Sequence, residues 1–251
     1  TSGNLVTGAK LILWGYFMKL CVADRLGVYI DTIFYNISFH NGNSLTLASI
    51  LYPFQLYADL GGYTLVAVGT AKCLGINVIP NFNRPFFSTS MSDLWRRWHM
   101  SLIQWLTDYL YTPLVFKLRT KKMLGVVIAL MLTFTISGIW HGAALVFVIW
   151  GVIQGVYLSF EAVTKKAKTK FKQKYNLNKN FIYIFISMFL TFILFSFSQI
   201  FAKSTNIDDA LTIIKKIFFD RGPLFIDATS LGYGLLFLLI LMLKDFKDEF
   251  F

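Results

Sequence analysis

The sequence predicts an all-α protein that crosses a membrane several times. Of its 251 residues, 56% are apolar and only 15% are charged, whereas about a quarter of the residues in an ordinary soluble domain are charged. The charges cluster in short blocks and leave long uncharged stretches between them. Because a helix needs about 20 apolar residues to cross a bilayer, this layout is typical of membrane spans joined by polar loops.

The longest uncharged stretch runs from Met123 to Phe160, and its only ionisable side chain is His141. It is nearly twice as long as the roughly 20 residues that one crossing requires, so it must cross the membrane twice or re-enter it. Four other apolar stretches predict further spans. They are Leu5 to Ala23, Leu45 to Ala71 with Asp59 inside it, Phe181 to Ala202, and the shorter Leu231 to Leu243.

Two basic blocks predict the orientation of these spans. Lys165 to Lys179 is rich in lysine and contains no acid, and Lys117 to Lys122 flanks the other end of the long uncharged stretch. Basic loops beside apolar spans face the cytoplasm, and two crossings return both blocks to that side. The formal net charge of +11 therefore indicates topology, and no nucleic-acid partner is expected.

The chain begins at Thr1, without a methionine or a signal-type sequence. We expect residues 1–251 to form a single membrane domain that is the C-terminal part of a larger protein. N-terminal helices upstream of this sequence are then expected to complete the helical bundle.

Two segments show the periodicity of amphipathic helices. Asn206 to Phe219 carries its apolar residues on one stripe and is predicted to lie on the membrane surface. Ser90 to Tyr111 is predicted as one continuous helix whose first residues resemble a capping box. At about 100° per residue, His99 falls on its apolar face among tryptophans, Arg97 on its polar face and Arg96 at the boundary.

His141 is the strongest candidate for a functional residue. An ionisable side chain within a membrane span costs several kcal/mol without a partner and is a functional hypothesis by default. Apolar surroundings disfavour the imidazolium, so the ring stays neutral and available as a general base. Gly138 and Gly142 flank it and permit a helix break or a close backbone approach. The alternative is a histidine satisfied by one buried hydrogen bond.

Two further polar side chains lie in apolar surroundings. His99, in the segment WRRWH, is either a substrate or catalytic residue or an ordinary interfacial residue, since Trp and Arg mark membrane boundaries. Asp59 needs a partner inside its span, and the cations considered are Arg84, Arg96 and Arg97. A structural ion pair and a direct role in catalysis are both open for Asp59.

The segment Asn81 to Phe86, NFNRPF, predicts a polar and aromatic turn whose geometry is fixed by Pro85. Its polar side chains, Asn83 and Arg84 among them, are candidates to line the path of a polar ligand. The sequence contains no Walker loop, GxSxG elbow or HExxH helix, so the usual signals of nucleotide-driven transport, serine hydrolysis and zinc proteolysis are absent.

Four segments follow one another along the chain: YADLGGY (Tyr57 to Tyr63), NFNRPF (Asn81 to Phe86), SDLWRRWHMSL with WLTDYLYTPL (Ser92 to Leu114) and GIWHGAALVFVIWGVIQG (Gly138 to Gly155). In this order and spacing they resemble the membrane-bound O-acyltransferase family, and in particular its bacterial branch that contains the alginate O-acetylation membrane protein. The WRRWH and DYLYTPL forms are closer to that branch than to the branch that D-alanylates teichoic acid.

The resemblance implies a polytopic helical bundle, with re-entrant or amphipathic helices around a central tunnel, in a bacterial cell membrane. His141 maps onto the family's catalytic histidine and His99 onto its second histidine. The implied donor is acetyl-CoA or an acyl carrier thioester, which reaches His141 from the cytoplasmic side without a bound cofactor or metal. Residues expected to bind substrate or line the tunnel are Asp59, Asn83, Arg84, Arg96, Arg97 and Trp140.

The resemblance also implies a reaction: transfer of an acyl group, acetyl in the first instance, toward hydroxyls of an extracytoplasmic polysaccharide. The implied partners are the polysaccharide itself or a secreted acetyltransferase, together with membrane lipid. D-alanyl transfer to teichoic acid is the alternative reaction, and a transporter with an intramembrane His and Asp is the alternative class. The acceptor polymer, the donor and the oligomeric state stay open.

Overall fold

The structure, a computed structural model, describes residues 2–251 apart from the side chain of residue 178. Within this part of the chain 84% of the residues are helical and no strand occurs, which confirms the all-α prediction. In chain order the helices are α1 (Ser2–Tyr16), α2 (Asp24–Phe34), α3 (Gly42–Cys73), α4 (Met91–Arg97), α5 (Met100–Leu106), α6 (Thr112–Lys117), α7 (Lys122–His141), α8 (Leu145–Lys174), α9 (Phe181–Lys203), α10 (Ile207–Phe219) and α11 (Ala228–Phe250). Two short π-helical segments, Phe17–Ala23 and Thr107–Tyr111, join α1 to α2 and α5 to α6.

The backbone contacts divide the chain into two compact units. The first unit comprises the residues up to Asn83 together with Asp208–Phe251, and the second unit comprises Arg84–Ile207. The expectation that residues 1–251 form a single membrane domain stays a prediction.

Five helical stretches among the described residues are long and apolar enough to cross a membrane. The uncharged stretch around His141 forms two of them, α7 and α8, so it is long and apolar enough for the two crossings that were predicted as one alternative to re-entry. α3 is a helix where a span was predicted, but it is not among the five. They are Ser2–Phe34, Arg119–His141, Leu145–Lys174, Phe181–Lys203 and Ala228–Phe250.

Glycines set the packing of α1 against α3 in the first unit. A methyl group on Gly15 would lie 2.6 Å from the carbonyl oxygen of Gly62, and one on Gly8 would lie 2.6 Å from that of Gly69. Gly8 and Gly15 are seven residues apart in α1, and Gly62 and Gly69 are seven residues apart in α3, so the two glycines of each helix lie on one face. Small residues let two helix backbones approach closely where lipid offers no hydrophobic driving force. Gly62, within the segment YADLGGY, therefore has a packing role.

The amphipathic helix predicted near the C-terminus is present as α10. Its side chains Ala210 and Ile213 are fully buried, whereas Leu211 is 54% and Phe218 is 62% exposed. The predicted apolar stripe thus includes residues that face away from the unit. An exposed apolar stripe is what a helix lying on a membrane surface requires.

Candidate active site

The hairpin of α7 and α8 places His141 at a helix end. Gly138 of α7 and Gly151 of α8 face each other so closely that a methyl group on Gly138 would lie 3.3 Å from the Cα of Gly151. α7 stops at His141 because Gly142 takes an extended conformation. The predicted helix break and close backbone approach beside His141 are therefore both present.

Two tryptophan rings flank the His141 imidazole. The ring centroids of Trp140 and Trp150 each lie 5.1 Å from that of His141, and both pairs meet edge to face. The His141 side chain is exposed, whereas Trp150 is 5% exposed. Within the protein, the apolar surroundings predicted for His141 come from aromatic rings and not from enclosure in a packed core.

His99 lies at a break in the backbone and not within a helix. The predicted continuous helix from Ser90 to Tyr111 is wrong, because α4 ends at Arg97 and α5 begins at Met100. His99 has φ 46° and ψ 50°, a left-handed conformation that a non-glycine residue keeps only when its surroundings hold it there. A helical wheel assumes regular geometry across this point, so it has no means of detecting the break.

The structure brings the two candidate histidines close enough that a proton on His99 would act electrostatically on His141. His99 is half-buried and follows Trp98, which is 4% exposed. Burial lowers the pKa of His99 below its usual value near 6.5, because desolvation disfavours the charged ring. His99 is therefore neutral at pH 7.

Asp93 contacts both arginines of α4. Its Oδ1 lies 3.4 Å from Nε of Arg97 and 3.5 Å from Nη2 of Arg96. The side chain of Arg97 is 22% exposed and that of Arg96 is 73% exposed, so the predicted placement of Arg97 on the polar face and Arg96 at the boundary is wrong. α4 ends at Arg97, whereas the predicted periodicity assumed a helix that continues beyond it.

A buried hydrogen-bonded chain ties α4 to α8 and α9, and the sequence argument missed it. Nε1 of Trp95 donates to Oε1 of Gln154 at 3.2 Å, and Nε2 of Gln154 donates to Oγ of Ser198 at 2.7 Å. Gln154 is fully buried, so the loss of either bond leaves a costly unpaired amide group. The available signal was a glutamine in an apolar run, four residues after Trp150.

A carboxylate of α8 binds the beginning of α4, and this residue was also missed. Glu161 accepts hydrogen bonds from the backbone N–H of Met91 at 2.7 Å, from the backbone N–H of Ser92 at 3.0 Å and from the Ser92 hydroxyl at 2.6 Å. Ser90 caps the same helix by accepting from the N–H of Asp93 at 3.1 Å, as the sequence predicted. Together these bonds satisfy donors that every helix N-terminus leaves open.

Two adjoining cavities lie beside α4 in the second unit. The larger, about 640 Å³, has polar and apolar surface in nearly equal shares, and its lining carries four basic residues, Arg96, Lys165, Lys168 and Lys172, and two acidic ones, Asp93 and Glu161. The smaller, about 270 Å³, is mainly apolar and includes the buried Thr133, whose hydroxyl has no hydrogen-bond partner within the described residues. No group of three or more His, Cys, Asp or Glu suited to a metal occurs in the part of the chain that the structure describes.

Asp59 pairs with a cation other than those predicted. Nζ of Lys19 lies 2.6 Å from Oδ1 of Asp59 and 2.9 Å from Oδ1 of Asp24. The prediction of an arginine partner is therefore wrong. A lysine within the predicted span Leu5 to Ala23 was the signal overlooked, since a charge inside a span calls for a complementary charge nearby.

A second buried acid lies in the same unit as Asp59. The hydroxyl of Tyr57 donates to Oδ2 of Asp245 at 2.8 Å, and Asp245 is 5% exposed. The predicted span Leu231 to Leu243 stopped short of this residue, whereas α11 continues to Phe250. A tyrosine two residues before Asp59 thus anchors the C-terminal helix.

The NFNRPF segment forms the predicted irregular turn. Arg84 takes the left-handed conformation, with φ 46°, and Pro85 opens a single 3₁₀ turn, Pro85–Phe87. Asn81 lines a cavity of about 50 Å³ together with Tyr57. Asn83 and Arg84 follow directly in the chain, and their predicted contact with a ligand stays a prediction.

Comparison with known proteins settles the family. Residues 3–200 match the sequence profile of the membrane-bound O-acyltransferase family, a range that includes both histidines and all four resembling segments. The chain belongs to the membrane-bound O-acyltransferase family. With its five span-forming helices, this member of the family is a multi-pass membrane protein.

Relatives of this O-acyltransferase family member carry three different names. The chain is 32% identical to a peptidoglycan O-acetyltransferase of Helicobacter pylori over 217 residues, which cover 84% of the chain and 38% of that protein. It is 34% identical to a probable alginate O-acetylase of Pseudomonas aeruginosa over 161 residues, 64% of the chain and 30% of the relative. It is 34% identical to a teichoic acid D-alanyltransferase of Bacillus subtilis over 176 residues, 67% of the chain and 44% of the relative. The chain thus spans well under half the length of these relatives.

Proposed function

We propose that the protein is an O-acyltransferase that transfers acetyl groups toward hydroxyls of a cell-envelope polysaccharide, in a bacterial cell membrane. The observation that carries the proposal is the placement of His141. This ionisable ring ends a span in which no other residue after Lys122 is ionisable, is flanked by two tryptophans and is within electrostatic range of a second histidine. Family membership supplies the class of reaction, and the O-acetylating relatives support acetyl as the group transferred.

The proposed mechanism uses neutral His141 as the general base. A ring nitrogen accepts the proton of an attacking hydroxyl, and the hydroxyl oxygen forms a bond to the carbonyl carbon of the donor thioester. The carbon–sulfur bond then breaks, and the departing thiolate takes the proton from the imidazolium, so that an ester and a thiol are formed. Trp140 and Trp150 restrict the orientation of the His141 ring. Neutral His99 orients the donor or shares the proton transfer.

The cytoplasmic end of the unit suits a donor with an anionic head. Arg96, Lys165, Lys168 and Lys172 line the larger cavity, and the positive-inside rule places the lysine block on the cytoplasmic side. Lys and Arg are the usual partners of phosphate oxygens. The adjoining apolar cavity around Thr133 suits an uncharged chain. These features support acetyl-CoA or an acyl carrier thioester as the donor.

The acceptor is proposed at the level of its chemistry, a polysaccharide hydroxyl reached directly or through a secreted acetyltransferase. D-alanyl transfer is the second candidate because the relative from Bacillus subtilis is about as similar as the alginate relative. The ester formed, acetyl or D-alanyl, separates the two.

The test is to supply cells with labelled acetate or labelled D-alanine and to measure label released from purified envelope polymers by mild alkali. We expect alkali-labile acetyl that depends on the protein. D-alanyl release would replace the acetyl proposal with the second candidate. Label that crosses the membrane without forming an ester would indicate a transporter and contradict the enzyme proposal.

A further inference from the structure

Glu161 contacts the first turn of α4. This is the most specific contact in the second unit that the proposed reaction does not use. One carboxylate accepts three hydrogen bonds there, from two backbone N–H groups and one hydroxyl, at 2.6 to 3.0 Å. Glu161 lies about seventy residues from its partners in sequence. The contact therefore joins α8 to α4, two helices that are far apart in the sequence.

The geometry of α4 links this contact to His99. α4 has seven residues, Met91–Arg97, and at about 1.5 Å per residue it is about 10 Å long. His99 follows the last residue of α4 by two positions. A displacement or rotation of the first turn is therefore transmitted over a short, stiff element to the imidazole.

α8 fixes α4 at a second point as well. Gln154 bonds the Trp95 indole in the middle of α4, and it lies two helical turns before Glu161, on the same face of α8. One turn before Gln154, again on this face, Trp150 meets the ring of His141. One face of α8 thus contacts His141 directly and reaches His99 through α4.

We infer that Glu161 is a positioning residue, which anchors α4 on α8 and thereby sets the His99 imidazole relative to His141. The inference rests on the proposed function, because it assigns Glu161 a part in the same transfer reaction. Both hydrogen-bonding oxygens and the negative charge matter, because a helix N-terminus carries partial positive charge and backbone N–H groups that donate.

The first variant to test is Glu161→Gln, which keeps the size of the side chain but replaces one accepting oxygen with an NH₂ group. We expect kcat to fall about tenfold while KM for the donor stays within about twofold, since positioning acts on the reacting geometry and not on donor affinity. Glu161→Asp keeps the charge and should recover part of kcat. Asp208→Asn, an exposed acid in the first turn of α10, is the matched control and should behave as wild type.

A double-variant cycle separates positioning from general loss of structure. If Glu161 acts through His99, then adding Glu161→Gln to a His99→Gln protein should slow the reaction by less than about twofold. Membrane abundance and thermal unfolding should match between each pair compared. If Glu161→Gln accumulates poorly in the membrane, the same cycle is measured with Glu161→Asp in its place.

Three results would overturn the inference. They are a wild-type kcat in Glu161→Gln, a loss that multiplies fully with that of His99→Gln, and a rise in donor KM without a change in kcat. The last result would make Glu161 a donor-binding residue of the basic cavity. A wild-type protein that forms no ester would contradict the proposed function itself, so the two failures are distinguishable.

Discussion

Substituting Gly138 by alanine should sharply lower the proposed acyl transfer without removing any chemical group from the site. The added methyl group would lie closer than any ordinary contact to the carbonyl oxygen of Phe147, and 3.1 Å from its carbonyl carbon. Both are backbone atoms of α8, so no side-chain rotation relieves the overlap. We estimate that the helices must separate by about 1 Å, at a cost of about 1–3 kcal/mol in the free energy of unfolding.

The expected effect on activity follows from where Gly138 lies. His141 is three residues further along α7, and Trp150, its ring partner, is on α8. A misplacement of about 1 Å at a reacting group lowers turnover by about 10²-fold. Ester formation and thermal unfolding in detergent or nanodiscs measure the two effects.

Gly232→Ala is the matched control for this variant. It adds the same methyl group to α11, where nothing lies within 4 Å, and it should leave activity unchanged and stability unchanged or slightly raised, because alanine favours helix over glycine. A Gly138→Ala protein with wild-type turnover and unfolding temperature would refute the packing argument that places His141.

Four further predictions concern other parts of the molecule. His99→Gln should lower turnover about 10²-fold or more at unchanged membrane abundance, and a variant within a few-fold of wild type would make His99 an interfacial packing residue. Because burial lowers the pKa of His99, His99 stays neutral down to about pH 6.5. Its contribution to activity and stability should decline only as the pH falls below that value, since the unfolded chain binds the proton more tightly. A decline that begins at pH 8 would contradict this prediction. Asp59→Asn should lower the unfolding temperature, and the double variant with Lys19→Gln should unfold closer to wild type; equal midpoints in all three would deny the ion pair a role. A cysteine at Lys170 should react with an impermeant maleimide only after the cytoplasmic face is opened, and labelling in intact cells would invert the topology.

The sequence predicted those features that depend on composition and local pattern. The two long apolar helices around His141 followed from the length of an uncharged stretch, and the Ser90 cap followed from the side chains at the start of α4. His141 itself stood out because it is ionisable in a span. Each of these arguments needs only a short window of residues.

The features that were missed depend on long-range contacts or on backbone conformation. The break at His99 is a left-handed residue within an amphipathic pattern, and that pattern is the same whether or not the backbone turns there. Glu161 lies one residue beyond the uncharged stretch, and its partners lie about seventy residues earlier in the chain. Lys19 and Asp59 are about forty residues apart, so charge complementarity alone did not choose between lysine and arginine. Such contacts become visible only once the helices are packed.

The proposed role of His141 as the base of an acetyl transfer is tested by His141→Ala. The protein is produced at wild-type abundance in the membrane, labelled acetyl donor is supplied on the cytoplasmic side, and alkali-labile acetyl on the polysaccharide is measured. We predict that ester formation falls to the background of cells without the protein, while the unfolding temperature stays close to wild type because the His141 side chain is exposed. Ester content near the wild-type level in the His141→Ala protein would contradict the account.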